Sequence, residues 1–145
     1  EGNLIRGYTC TAQCDSPFGG WKFPKTKNYT YTAEVTDSTV VFNNTSDDNG
    51  SYLYPHFVIT MNNAGGDIFI TNQSDGNRVS SFVDLSPSEV LTVDNSLQQM
   101  SSSTDLIRMS NFNKKFFRLV PGINQIRFQG NVANIAMTYQ FVAKI

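Results

Sequence analysis

Apolar and polar residues alternate singly over short runs of this chain, and turn-forming residues separate the runs. Tyr29, Tyr31, Ala33 and Val35 fall on one side of an extended segment, with Thr30, Thr32 and Glu34 on the other. Period two is the signature of a half-buried strand. Read this way, the pattern predicts strands over 3–14, 28–35, 39–42, 52–61, 67–71, 78–85, 89–93, 97–100 and 135–145. Pro55 marks the start or an edge of the fourth of these. Polar and glycine-rich turns lie at 43–51, 62–66 and 74–77.

The best-defined local unit is Lys115–Gly130. Phe117 and Leu119, then Ile126 and Phe128, are apolar at period two, with Arg118, Gln125, Arg127 and Gln129 between them. Pro121-Gly122 has the chemistry of a type II turn, with proline presetting φ and glycine accepting φ > 0. The expectation is a hairpin whose two arms pair, with Phe117, Leu119, Ile126 and Phe128 in the core.

About ten short strands separated by turn signals indicate an all-β antiparallel sandwich of two sheets. Alternation, rather than continuous apolar runs, points to sheets with one face wet. Helix is expected for at most one short turn, capped by Ser103-Thr104-Asp105 and running through Met109. A chain of 145 residues fits a single domain, 1–145, with a real core. It does not begin with Met, so it is expected to be a fragment or a processed product.

Composition narrows the function classes. Net charge is −1 and charged residues are 16%, with Ser, Thr and Asn supplying the polarity. A nucleic-acid-binding domain usually carries a basic excess, so no such partner is expected. No apolar run reaches the roughly 20 residues of a membrane span, so membrane insertion is not expected either. Cys10 and Cys14 share one face of an extended run, roughly 13 Å apart, too far for a disulfide. They read as small buried hydrophobes; one histidine and two thiols cannot complete a tetrahedral zinc site.

Catalytic chemistry is sparse. His56 is the single histidine, and no strand-turn-helix Gly-x-Ser-x-Gly element accompanies it. The carboxylates are scattered, mostly in turns, where aspartates bond their own backbone. Asp47-Asp48-Asn49 lacks the spacing of a calcium loop. No enzyme, cofactor or metal is therefore expected. The loop carrying Phe18, Trp21 and Phe23 either plugs the end of the sandwich or offers a recognition surface. With Tyr52 and Tyr54 these aromatics are the candidate stacking platforms for a partner or a sugar.

Three segments together resemble the C-terminal domain of siphophage distal tail proteins. Tyr8 to Phe18 is similar to that family's opening strand and Cys-Asp-x-Pro-aromatic step. Glu89-Val90-Leu91-Thr92-Val93-Asp94 is similar to its Gly-Glu-x-Leu-Thr-Ile-Asp strand, with Ser88 in place of glycine. Asn113 to Ile126 is similar to its Phe-x-x-Leu-x-Pro-Gly-x-Asn-x-Ile hairpin.

The resemblance implies a galectin-like, jelly-roll-like sandwich at the tail tip of a virion. It forms the C-terminal part of a longer protein whose N-terminal domain builds a ring. Such a domain carries receptor-binding or baseplate proteins and in some members supports host adhesion. It brings no catalytic residues. The isolated domain would be monomeric, and the full-length protein a ring-forming homo-oligomer. The alternative is a carbohydrate-binding module for host cell-surface polysaccharide, resting on Phe18, Trp21, Phe23, Tyr52 and Tyr54.

Overall fold

In a computed structural model that describes residues 18–20 and 24–144, the alternation resolves into antiparallel sheets. The strands are β1 (Phe18–Gly20), β2 (Lys25–Thr30), β3 (Val35–Asn44), β4 (His56–Met61), β5 (Gly66–Asn72) and β6 (Arg78–Leu85). They continue with β7 (Val90–Asp94), β8 (Gln99–Ser102), β9 (Gly122–Gly130), β10 (Val132–Tyr139) and β11 (Val142–Lys144). A five-stranded sheet has the order β2-β10-β4-β7-β8, and a four-stranded sheet the order β3-β9-β5-β6. β1 and β11 form a two-stranded ribbon. A 3-10 turn at Arg108–Asn111 is the one helical element among the described residues.

The two larger sheets bury their apolar faces against each other, making a β-sandwich. From the first sheet come Phe57, Ile59 and Met61 of β4, Leu91 and Val93 of β7, and Ile135, Met137 and Tyr139 of β10. From the second come Phe42 of β3, Ile68 and Ile70 of β5, Phe82 of β6, and Ile126 and Phe128 of β9. Rings meet across the gap: Phe42 and Tyr139 stand edge to face at 4.7 Å, and Tyr29 and Phe128 are tilted by 43° at 5.1 Å. Edge-to-face geometry sets the positive rim of one ring on the negative face of the other.

Several boundaries differ from the period-two expectation. The predicted strand over 28–35 is two strands: β2 ends at Thr30, the chain bends at Thr32-Ala33, and β3 starts at Val35. Val35 pairs with Gly130 but Ser38 with Phe128, so β3 carries one extra residue there. That bulge switches the parity, which is why burial passes from Val35 to Phe42 and Asn44. The predicted strand over 135–145 starts earlier, at Val132, and breaks after Tyr139. The strand expected over 3–14, with Cys10 and Cys14, lies outside the described residues.

The largest correction concerns Lys115–Gly130. Phe117, Leu119, Ile126 and Phe128 are all fully buried, and Gly122 has φ +81°. Yet Lys115–Val120 does not pair with β9. Both edges of β9 are already taken, one by β3 and the other by β5, so no ladder position remains for the arm. The Asn124 side chain substitutes for a partner strand at the turn. Its Oδ1 accepts from Val120 N at 2.8 Å, and its Nδ2 donates to the Val120 and Gly122 carbonyls at 2.8 and 2.9 Å. Leu119 instead bridges Leu53. Period two identifies which residues are buried; it does not identify the neighbour.

Candidate functional site

Residues 112–120 form a strap over the edge of β6, and side chains supply most of its hydrogen bonds. Phe112 bridges Phe82 and stacks on its ring at 4.6 Å. Asn113 exchanges bonds with Val79 and Ser81. The Ser80 hydroxyl donates to the Lys115 carbonyl at 2.6 Å, and Arg78 Nε to the Phe116 carbonyl at 3.0 Å. Phe117 N donates to Asn95 Oδ1 at 2.8 Å, and Asn72 Nδ2 to the Arg118 carbonyl at 2.9 Å. The Asn113 bonds are exposed, but the Lys115, Phe116 and Arg118 carbonyls and the Phe117 N–H would otherwise be left unpaired in buried or half-buried positions, at a cost of about 1–3 kcal/mol each where burial is complete.

This anchoring sets the strap's side chains. Phe116, Phe117 and Leu119 point into the core, while Lys114 and Lys115 are exposed. Arg118 reaches the turn between β5 and β6, where its Nε and Nη2 donate to the two Asp75 oxygens at 2.7 and 3.2 Å. Its guanidinium also lies 3.8 Å from the centre of the Tyr52 ring. A planar cation over an aromatic face is an attractive geometry. The Asp75 hydrogen bond, helped by the Asp75 charge and a bond to Tyr54 and opposed by burial, holds the Arg118 pKa above its ordinary value. Arg118 therefore stays charged throughout the accessible pH range.

Leu53 pairs with Leu119, which brings its neighbours Tyr52 and Tyr54 beside Arg118. The tyrosine rings stand 6.5 Å apart at 64°, and the two residues are 41% and 42% exposed. The structure thus joins the predicted candidates Tyr52 and Tyr54 to two residues sequence reasoning did not place with them, Arg118 and Asp75. The side chains of Phe18, Trp21 and Phe23 lie outside the described residues. Of the hairpin residues, Phe117, Leu119, Ile126 and Phe128 are core. Pro121 and Gly122 turn the strap into β9.

The other concentrations of polar groups are occupied by the architecture. Glu89, 1% exposed, accepts from Ser86 N, the Ser102 hydroxyl and two nitrogens of Arg108, at 2.8 and 2.6 Å for the last two. Burial pushes its carboxyl up, but these hydrogen bonds and the Arg108 charge outweigh burial and hold the pKa below the usual value. A cleft of about 680 Å³ opens beside the starts of β3 and β5, with Glu34, Asp67, Gln129 and Asn131 in its lining. There Asp67 Oδ1 accepts from Asp84 N, and Asn131 Nδ2 donates to the Gly65 carbonyl. His56 sits opposite Asp94 in the β4–β7 register, but Asp94 Oδ1 caps its own turn through Ser96 N and Leu97 N. Among the described residues no cluster of His, Cys, Asp or Glu is arranged to hold a metal ion.

No curated protein and no solved structure matches this chain. A family described as phage tail C-terminal domain matches residues 20–139, which takes in every strand of the two larger sheets. The chain belongs to the phage tail C-terminal domain family and is a tail component of the virion.

Proposed function

We propose that this domain is a non-enzymatic structural and interaction module at the tail tip, the C-terminal domain of a distal tail protein. Receptor-binding or baseplate proteins attach to it, and through them it supports host adhesion. The observation that carries this reading is family membership across residues 20–139. It is supported by the use of the buried polar side chains: Glu89, Asn72, Asn95, Arg108 and Asn124 all hold backbone or each other. Side chains fixed in this way serve rigidity, which a domain that carries other proteins needs. In this reading the ring is built by residues outside this chain, and the chain alone is a monomer.

Gold labelling of the domain on intact virions tests the placement. Label at the distal end of the tail is the expected result; label along the tube or at the head end overturns it. Virions lacking the domain should assemble tails but lose receptor-binding protein. Sedimentation of the isolated chain should give a monomer, and a stable ring would overturn the division of labour.

A second reading, carbohydrate recognition, is favoured by the corner made by Tyr52, Tyr54 and Arg118. Sugar sites combine an exposed aromatic face with a few convergent polar groups. Calorimetry with host cell-surface polysaccharide separates this reading from pure scaffolding.

A further inference from the structure

We propose that the strap edge binds an anionic saccharide chain, whose acidic groups meet Arg118, Lys114 and Lys115 while a sugar face rests on Tyr52 and Tyr54. This rests on the carbohydrate reading and adds the ligand's chemical class. Three observations carry it.

The first is charge segregation. The chain carries −1 overall, yet Lys114 to Arg118 holds three cations and no carboxylate. Five residues span at most about 18 Å, and Asp75 already neutralises Arg118, so the net charge of this short edge comes from Lys114 and Lys115. The salt bridges among the described residues leave Lys114 and Lys115 unpaired. A cluster of uncompensated cations attracts a polyanion and speeds its encounter.

The second is preorganisation of Arg118. Asp75 takes its Nε and one Nη2 donor, and Tyr52 supports the guanidinium plane. A guanidinium has five N–H donors; with two on Asp75 and one on Tyr54, the fork keeps two for a ligand oxygen. Its side chain is 27% exposed. Holding it in place beforehand removes most of the ordering cost of binding.

The third separates a saccharide from an acidic protein. A protein interface of ordinary size needs an apolar centre. Here Phe116, Phe117 and Leu119 of the strap are buried, and the apolar surface left beside Arg118 is two tyrosine rings. The Tyr54 ring, with the part of Tyr52 that Arg118 leaves exposed, stands beside a planar hydrogen-bonding fork and suits a sugar face with an acidic substituent.

The test is an array of bacterial polysaccharides bearing uronate or phosphate groups, matched neutral polysaccharides, and polyglutamate, probed with the whole chain. Retention on acidic polysaccharides, falling as salt rises, is expected. The double variant Lys114→Glu/Lys115→Glu should weaken it about tenfold. Tyr54→Ala should weaken it about fivefold, with an unchanged melting temperature. Equal binding to neutral polymers, or no retention at low salt, overturns the proposal. Polyglutamate held as tightly, with Tyr54→Ala silent, makes the partner an acidic protein and overturns it too. Equal retention on neutral and acidic polysaccharides overturns the anionic ligand and leaves the carbohydrate reading standing, whereas retention on neither overturns both.

Discussion

The Asn72 amide donates to Asn124 Oδ1 at 2.9 Å in a fully buried pair joining β5 to β9. Asn72 also holds the Arg118 carbonyl, and Asn124 holds Val120 from both sides. Two asparagines thus fasten the strap that carries Arg118. Asn124→Ala should leave several buried backbone groups unpaired and cost about 3 kcal/mol or more. Urea unfolding measures this. Because the pair shares partners, the Asn72→Ala and Asn124→Ala losses should not add; a coupling of about 1–3 kcal/mol is expected from the double-mutant cycle. Additive losses would mean the asparagines act separately.

Glu89 gives a pH dependence with a definite sign. Its carboxyl titrates lower in the folded chain than when unfolded, through the Arg108, Ser102 and Ser86 hydrogen bonds set against burial. A depressed folded pKa stabilises above the unfolded value, about 4.3. That stability is lost as pH falls through the folded pKa. Glu89→Gln should be less stable at pH 7 by about 3 kcal/mol, because Arg108 is left buried without its charge partner. The gap between variant and wild type should narrow as pH falls below about 4.3, toward the folded pKa. A gap that stays constant as pH falls below about 4.3 would show that Glu89 is not the titrating group.

Much of the sandwich was legible because one face of most strands in the two larger sheets is buried, as in β4, β5, β7 and β10. β6 has the expected bounds, and β4 begins just after Pro55. The strap was not legible, because its partners are side chains far away in sequence: Ser80 for Lys115, Asn95 for Phe117, Asn72 for Arg118. An alternating apolar pattern is the same whether a ladder or asparagine side chains satisfy the backbone. At the site, Tyr52 and Tyr54 stood out as aromatics. Arg118 and Asp75 did not, since their meeting depends on where the strap runs. The cue available in sequence was Asn124, two residues beyond the Pro-Gly turn, where a side chain can close the turn by itself.

Two glycines separate backbone strain from steric clash. Gly122 has φ +81° and open space where a side chain would sit. Gly122→Val should therefore cost only the strain of a branched residue at positive φ, about 1–3 kcal/mol. Gly130 has φ +130°, and a Cβ there would lie 2.1 Å from the Asp67 carbonyl oxygen. Gly130→Ala should be worse than Gly122→Val, although alanine is smaller, because β5 itself blocks the site. Thermal melts of the two variants rank them, and the reverse order would contradict the β5–β9 approach.

Lys27 lies on an edge strand. Among the described residues β2 is the outermost strand of the five-stranded sheet, and an unpaired edge invites another chain. Lys27 lies opposite Met137, a core residue, and so points to the inner side of the sheet. Its ammonium sits 5.1 Å from the centre of the Phe42 ring, at the mouth of the sandwich. An inward-facing charge on an edge strand stops a second strand from closing over it, since pairing would bury the ammonium. Lys27→Val should leave the stability at low concentration within about 0.5 kcal/mol of wild type, as for most surface changes. It should also introduce concentration-dependent association visible by light scattering. Lys27→Arg should remain monodisperse, because it keeps the charge. If Lys27→Val stays monomeric at high concentration, another feature guards β2, and the inward lysine serves only to cover Phe42.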